Sequence, residues 1–302
     1  MNADETNELH ASGAFYASFL PQRLTAVIPH YNHADLLPRA LAALLASTRP
    51  PDEVIVVDDG SDVRQTFKAS EVCRGLGVQF YPKWKNEGVP ATLNAGILRS
   101  TGSLLYFGSA DDEVFPNFFE QALNTLKRYP AAGLVAGMGE WVSGGKRIEV
   151  GYPHPAYFEP EWAADKFVPN HVAVYRRSAL VEFEPQAGPF ADWLLAQTVT
   201  QAQGACFTGS VGGRMNLSGS SYYNRSRAES LAFVVAELGR LGLLGKVRTE
   251  VLGVDAYELL PPELQTLRTA IRFALHDIKA RTWRKLPQTV LDAWATVGGR
   301  AI

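Results

Sequence analysis

Residues 24–62 read LTAVIPHYNHADLLPRALAALLASTRPPDEVIVVDDGSD, and the pattern of this stretch decides the fold. Leu24 to Ile28 is a continuous apolar run ending at Pro29, and Glu53 to Val57 is a β-branched run ending in the carboxylates Asp58 and Asp59; both read as buried parallel strands. Between them Leu36, Leu37, Ala40, Leu41, Leu44 and Leu45 recur at helical spacing, with Pro38 at a position tolerated only near a helix start. Strand, helix and strand in this order make a βαβ unit. In an open parallel sheet ligands gather outside the carboxyl ends of the strands, where this sequence sets His30, Tyr31, Asn32, Asp58, Asp59, Gly60 and Ser61.

Alternation continues downstream. Val63 to Arg74 reads as a short helix, Val78 to Tyr81 as a strand and Val89 to Arg99 as a helix with Pro90 in its first turn. Ser103 to Phe107 is a further buried strand, running into Gly108-Ser109-Ala110-Asp111-Asp112. A helix follows over Phe115 to Tyr129, with Phe118, Phe119, Ala122, Leu123 and Leu126 on one face. Leu134 to Met138 is the next strand, and Gly144-Gly145 suggests a hairpin turn joining Glu140–Ser143 to Lys146–Val150. Gly151 to Pro169, rich in Pro, Tyr, Phe and Trp, reads as a long ordered loop over the site. His171 to Tyr175 is expected as a strand, Arg176 to Val181 as a short helix and Phe190 to Gln203 as a longer one. Ser218 to Arg227 has the composition of a flexible segment, and Ala228 to Leu241, Glu263 to Arg281 and Pro287 to Thr296 read as helices.

The opening stretch closely resembles the start of an inverting family 2 glycosyltransferase with the GT-A fold. Pro29, Tyr31 and Asn32 match that family's Pro-x-Tyr-Asn turn, and Asp58 to Ser61 its Asp-Asp-Gly-Ser motif. The likeness continues through Asn86-Glu-Gly, Asn94-Ala-Gly-Ile, Ala110-Asp111-Asp112 and Ala191-Asp192-Trp193, covering Leu24 to Arg227. It implies a Rossmann-like α/β nucleotide-diphospho-sugar transferase domain over residues 21–227; the residues on either side read as a flexible leader over 1–20 and a mainly helical extension over 228–302.

Composition excludes other classes. A formal charge of −2 across 302 residues argues against a nucleic-acid footprint, which needs clustered, uncompensated Lys and Arg. The two cysteines, Cys73 and Cys206, have no partner at metal or redox spacing, as in a reduced, cytoplasmic protein. No apolar run has the length of a membrane span, and the acidic, polar N-terminus is unlike a signal peptide.

Sugar transfer from an activated nucleotide needs a nucleotide pocket, positive charge beside the departing diphosphate and a base for the acceptor hydroxyl. By the resemblance Tyr31 stacks on the base of the nucleotide, Asp59 accepts its N–H, and Pro29, Asn32, Asn86, Asn94, Ser109 and Ala110 complete the nucleotide site. The resemblance also assigns Asp111 to a divalent cation, Mg2+ or Mn2+, as the last residue of an Asp-x-Asp motif whose first position is here Ser109. Hard cations take one or two carboxylates with phosphate oxygens, which suits this cluster. Asp192 matches the catalytic base, and an N-terminal helical position favours its ionised form. His171, Trp193 and Asp112 are candidates for acceptor or loop contacts. Lys85 and Arg99 are candidate phosphate neighbours, and Arg214 and Arg225 fall where the family closes a loop over the donor. Each motif also has a structural reading: Asp59 as a helix cap, Tyr31 as core, the Asp-Asp pair as a turn capping the next helix, Asp192 as a plain N-cap.

The expected donor is a nucleotide-diphospho-sugar, with UDP as the expected nucleotide, and the acceptor a glycan or lipid-linked molecule in surface-glycan assembly. With no Gln-x-x-Arg-Trp motif, one sugar is expected per encounter. A non-catalytic nucleotide-sugar binder on the same scaffold is the competing reading, motivated by Ser109; a dinucleotide-binding dehydrogenase lacks its Gly-x-Gly-x-x-Gly turn. In the tail, Leu264, Leu267, Ile271, Leu275 and Ile278 form an apolar stripe beside Arg268, Arg272, Lys279, Arg281, Arg284 and Lys285. A docked helix with a solvated basic face explains it, and peripheral contact with the inner face of an anionic membrane is the sharper alternative.

Overall fold

The structure, a computed structural model, describes residues 22–143, 146–160 and 172–216, together with Ser230, Phe233, Val234 and Glu237. The leader, the turn at 144–145, residues 161–171 with His171, the segment 217–229 with Arg225, and the tail beyond 237 with its apolar stripe lie outside the described residues.

The opening unit forms as its periodicity demands. Strands β1 (Leu24–His30) and β2 (Glu53–Asp58) are parallel and in register from Thr25↔Glu53 to His30↔Asp58. Helix α1 (Leu37–Leu45) joins them, with Pro in its first turn and Leu37, Ala40, Leu41 and Leu44 buried. Helix α2 (Val63–Leu76) is capped by Asp62, whose carboxylate accepts from the N–H groups of Arg64 and Gln65, and ends at Gly77 in the left-handed region. The cap is thus Asp62 and not Asp59. Next come β3 (Gln79–Pro82), α3 (Val89–Arg99), β4 (Leu104–Phe107), the two-residue β5 (Glu113–Val114) and α4 (Phe118–Arg128).

The second half is less regular than the sequence suggests. Strands β6 (Leu134–Ser143) and β7 (Lys146–Val150) form the expected hairpin, with Ser143 opposite Lys146. Within the stretch read as a loop lies a strand, β8 (Ala156–Phe158). Strand β9 (Ala173–Arg176) leads into a three-residue 3-10 turn where a short helix was expected, and a 3-10 segment, Pro185–Phe190, precedes α5 (Ala191–Gln203). The long β10 (Ala205–Asn216), unforeseen, completes the sheet.

Main sheet order is β3-β2-β1-β4-β9-β6-β10-β5, with β7 on β6 and β8 on β10. The first four strands are parallel, β9 runs against both β4 and β6, and β10 is parallel to β6. Apolar side chains alternate onto two cores. One holds Leu24, Ala26 and Ile28 against α1, α2 and α4; the other holds Val27 and Leu105 against α3 and α5. Both cysteines are buried and free, and burial pushes each thiol up to about 12. Ser230, Phe233, Val234 and Glu237 are helical, and fully buried Val234 packs into the α3–α5 core. No helix among the described residues is long and apolar enough to cross a membrane.

Candidate active site

Strand order reverses at β1, which has β2 on one side and β4 on the other, so the crevice opens above the carboxyl ends of β1 and β4. Around it the chain leaves four strand ends: Tyr31-Asn32 after β1, Asp59 to Ser61 after β2, Lys83 to Gly88 after β3 and Gly108 to Asp112 after β4.

The first two strand ends are locked together. Asn32 adopts φ 54°, a left-handed conformation that Asn tolerates better than most residues. There its N–H donates to Ser61 Oγ (2.8 Å), and its side-chain oxygen accepts from Asp62 N (2.9 Å). Beneath, fully buried Asp58 accepts from His30, Ser61 and Thr66. Burial alone would raise the Asp58 pKa, and these three bonds outweigh it, holding the carboxyl below its ordinary 3.8. The Nε2 atom of His30 is buried with no partner among the described residues. Tyr31 is 43% exposed at the rim, so it is not core, and Pro29 pairs with Val57 inside the sheet.

Asp59 is 4% exposed and organises the third strand end. Its Oδ1 accepts from Lys83 Nζ (2.8 Å) and Glu87 N (2.9 Å), and its Oδ2 from Gly88 N (2.9 Å). Among the described residues Oδ2 takes no second donor, which leaves it one lone pair. Gly60 is required here: with φ +68°, its missing Cβ would lie 2.3 Å from the carbonyl carbon of Lys85. Lys83, which sequence reasoning passed over in favour of Lys85, is the lysine that turns inward, reaching Asp59, Thr92 and Glu87. Lys85 points outward with 77% of its side chain exposed. Asn86 accepts from Gly88 N (3.1 Å). The Asn94 amide is occupied by both main-chain groups of Phe183, each at 2.8 Å, so it ties α3 to the segment leading into α5. Arg99 lies over the Tyr81 ring, 5.2 Å from its centroid.

At the fourth strand end the Ser109 hydroxyl donates to Asp111 Oδ1. The Asp111 main-chain carbonyl accepts from Arg39 Nη2 (3.1 Å) and Asn216 Nδ2 (2.8 Å), and Asp112 Oδ1 accepts from Asn216 N (3.1 Å). Neither Asp111 nor Asp112 caps α4, whose N-cap is Asn117. Desolvation first, and the Asp111 charge second, push the Asp112 carboxyl up to about 7; Asp192 adds to the rise. Burial similarly raises the Tyr175 hydroxyl, again with Asp192 contributing. Asp192 therefore lies within electrostatic reach of the Asp111–Asp112 turn although eighty residues separate them in sequence. It occupies the first turn of α5, and its Oδ1 accepts from Trp193 N (2.7 Å). Trp193 itself is 4% exposed, packed in the α5 core.

Asn216, Arg39 and Lys83 are the contributors that sequence reading passed over; each acts on a partner at least 24 residues away. Among the described residues no cluster of three His, Cys, Asp or Glu side chains is arranged to hold a metal ion. Asp111 offers a single carboxylate at the crevice. That fits a hard cation which completes its shell with the oxygens of a bound diphosphate and water.

The fold recurs in solved structures. TarS of S. aureus, residues 1–349 in complex with UDP-GlcNAc, superposes with a TM-score of 0.61 at 15% identity, covering 84% of this chain and 87% of that one. The mannosyltransferase PcManGT of Pyrobaculum calidifontis, in complex with GDP-Man and Mn2+, gives 0.58 at 18% identity over 92% and 87%. In sequence, an uncharacterized glycosyltransferase of Nostoc sp. is 30% identical over 118 residues, or 37% of this chain; the match spans 35% of that protein. The model of the family described as Glycosyl transferase family 2 matches residues 25–183, more than half of the chain, and with the GT-A fold around it the protein belongs to that family.

Proposed function

We propose that the protein is an inverting, non-processive glycosyltransferase that moves a sugar from a nucleotide-diphospho-sugar to an acceptor hydroxyl, with Asp192 as base. The observation that carries this reading is the Asp111–Asp112 turn, set after β4 next to β1 and held by Ser109 and Asn216, together with Asp192 in the first turn of α5. In this reading Asp192, in the first turn of α5, is the proton acceptor and the Asp111 carboxylate is the group suited to a cation. In the proposed site Tyr31 stacks on the nucleobase and Asp59 uses its remaining lone pair to accept a ring N–H. The start of α3, where the helix terminus favours negative charge, faces the diphosphate, while the Glu87 and Gly88 N–H groups stay with Asp59. A divalent cation held by Asp111 would supply charge neutralisation at the departing diphosphate. Asp192 takes the proton from the acceptor hydroxyl as its oxygen attacks the anomeric carbon on the face opposite the leaving group. One displacement with one base inverts the configuration.

UDP-GlcNAc in TarS and GDP-Man with Mn2+ in PcManGT support a nucleotide-diphospho-sugar donor and a divalent cation for this chain as well. A glycan or lipid-linked acceptor in surface-glycan assembly on the cytoplasmic side, with peripheral membrane contact through the basic tail, extends the proposal. The deciding experiment is a thermal-shift panel of UDP-, GDP-, dTDP- and CMP-sugars with and without Mn2+, since a ligand that binds only the native state raises the unfolding temperature. A metal-dependent shift with one nucleotide class supports the reading; no shift with any of them overturns it. Liposome co-sedimentation of the full chain and of a truncation ending near Leu260 tests the membrane part: negligible binding by both removes it.

A further inference from the structure

Four hydrogen bonds converge on two consecutive residues of the β4 turn. Asn216 gives its side-chain amide to the Asp111 carbonyl and its main-chain N–H to the Asp112 carboxylate; Arg39 gives a guanidinium N–H to the same carbonyl, and Ser109 a hydroxyl to the Asp111 carboxylate. The donors come from α1, from the turn itself and from β10, the last a strand 105 residues downstream. Left to itself a turn bearing two adjacent carboxylates would sample many rotamers, because the charges repel and the Ser109 hydroxyl is the one donor the turn itself supplies among the described residues.

The platform beneath this turn is well held. Arg214 lies two residues before Asn216, on the same face of β10, and pairs with Glu140 (2.5 Å) and Glu113 (3.2 Å) across the two neighbouring strands. Its guanidinium sits 5.5 Å from the Phe115 ring centroid. Gly213 and Arg214 pair with β5, Phe115 N donates to Gly212 O (2.7 Å), and a Cβ at Gly212 would meet the Phe118 ring at 2.5 Å. The end of β10 is therefore fixed by pairing on both sides and by packing from α4.

We propose that Asn216, with Arg39 as its second hand, is a positioning residue that presets the Asp111 carboxylate for a divalent cation. The inference rests on the cation reading of Asp111 given above. Its physical basis is entropic. A cation held by one protein carboxylate and a diphosphate gains little chelation from the protein, so the cost of ordering that carboxylate subtracts directly from affinity. Ser109, standing where the resemblance expects a second carboxylate, makes this ordering matter more. Fixing the Asp111 main chain from β10 and α1, and its side chain from Ser109, meets that cost during folding.

The test uses the full chain with UDP as nucleotide probe, following Mn2+ binding by electron paramagnetic resonance and metal-free UDP binding by calorimetry. Asn216→Ala should weaken Mn2+ binding in the presence of UDP by about five- to tenfold, the worth of one hydrogen bond. Its metal-free UDP affinity should stay within about twofold of wild type, a change too small to signal a lost hydrogen bond. Asn216→Gln, which keeps an amide donor, should recover part of the loss. If Asn216→Ala does not unfold cooperatively, Arg39→Ala, which releases the same carbonyl from α1, carries the comparison. Unchanged Mn2+ affinity in the variant overturns the inference, as does an equal fall in metal-free UDP affinity. Wild type that binds UDP but no Mn2+ fails the cation reading itself before any variant is made, so the two failures are distinguishable.

Discussion

The Nδ1 atom of His30 lies 2.8 Å from Oδ1 of Asp58, and neither side chain has any exposed surface. This pair closes the last register position of β1 on β2, directly beneath the Asn32 and Ser61 turns that form the crevice wall. A buried carboxylate survives there only because His30, Ser61 and Thr66 all serve it.

Asp58→Asn is therefore expected to lower stability by about 3 kcal/mol, since it leaves a buried partner set uncompensated. The pH dependence follows from the depressed Asp58 pKa. Its stabilisation is complete above the unfolded value near 3.8 and is lost as pH falls through the lower folded value. Urea midpoints followed from about pH 5 to about pH 2 should fall in wild type below the ordinary carboxylate range, and fall less steeply in Asp58→Asn. Parallel slopes would show that Asp58 carries no linkage.

Gly60→Ala should destabilise by about 2 kcal/mol or more and weaken nucleotide binding together. The added methyl meets main chain at Lys85 and Asn86, which cannot swing aside, and the φ of +68° is strained for alanine. Denaturant titration and UDP calorimetry measure the two effects; a fully stable variant with intact binding would mean that the Lys83–Gly88 segment moves freely.

Asp111→Ala should stay folded and lose the metal-dependent part of donor binding, and excess chelator should abolish transfer by the wild type. Undiminished transfer in chelator would remove the cation from the reaction.

Asp192→Asn keeps size and most hydrogen bonding but cannot take a proton. Donor affinity by calorimetry should be close to normal, with turnover at least about a hundredfold lower. The product anomeric configuration, read by NMR, should be opposite to the donor's; a retained configuration would exclude single displacement.

What the sequence made legible is what local pattern encodes. Leu24–His30, Leu37–Leu45 and Glu53–Asp58 follow from periodicity and β-branching, and each fell within two residues of expectation. Strand β10 escaped because Gly209, Gly212 and Gly213 dilute its apolar alternation; its strand state comes from pairing with β6, β8 and β5, a tertiary fact. Asn216 was invisible for the same reason, since only that pairing brings it to Asp111. Lys83 and Lys85 looked alike in sequence, and the direction of each side chain, set by how Asp59 gathers the loop, separates them.

Placing β10 last among the described strands has a consequence for synthesis. The unit from β1 to β4 is assembled from near neighbours and can begin to organise as soon as it leaves the ribosome, because folding proceeds from the N-terminus as the chain is made. The Asp111–Asp112 turn emerges about a hundred residues before the strand that holds it. Throughout that interval the half that carries the proposed nucleotide site can exist with the Asp111–Asp112 turn unsupported, so on the proposed reading a nascent or prematurely terminated chain would meet a nucleotide before it could use one.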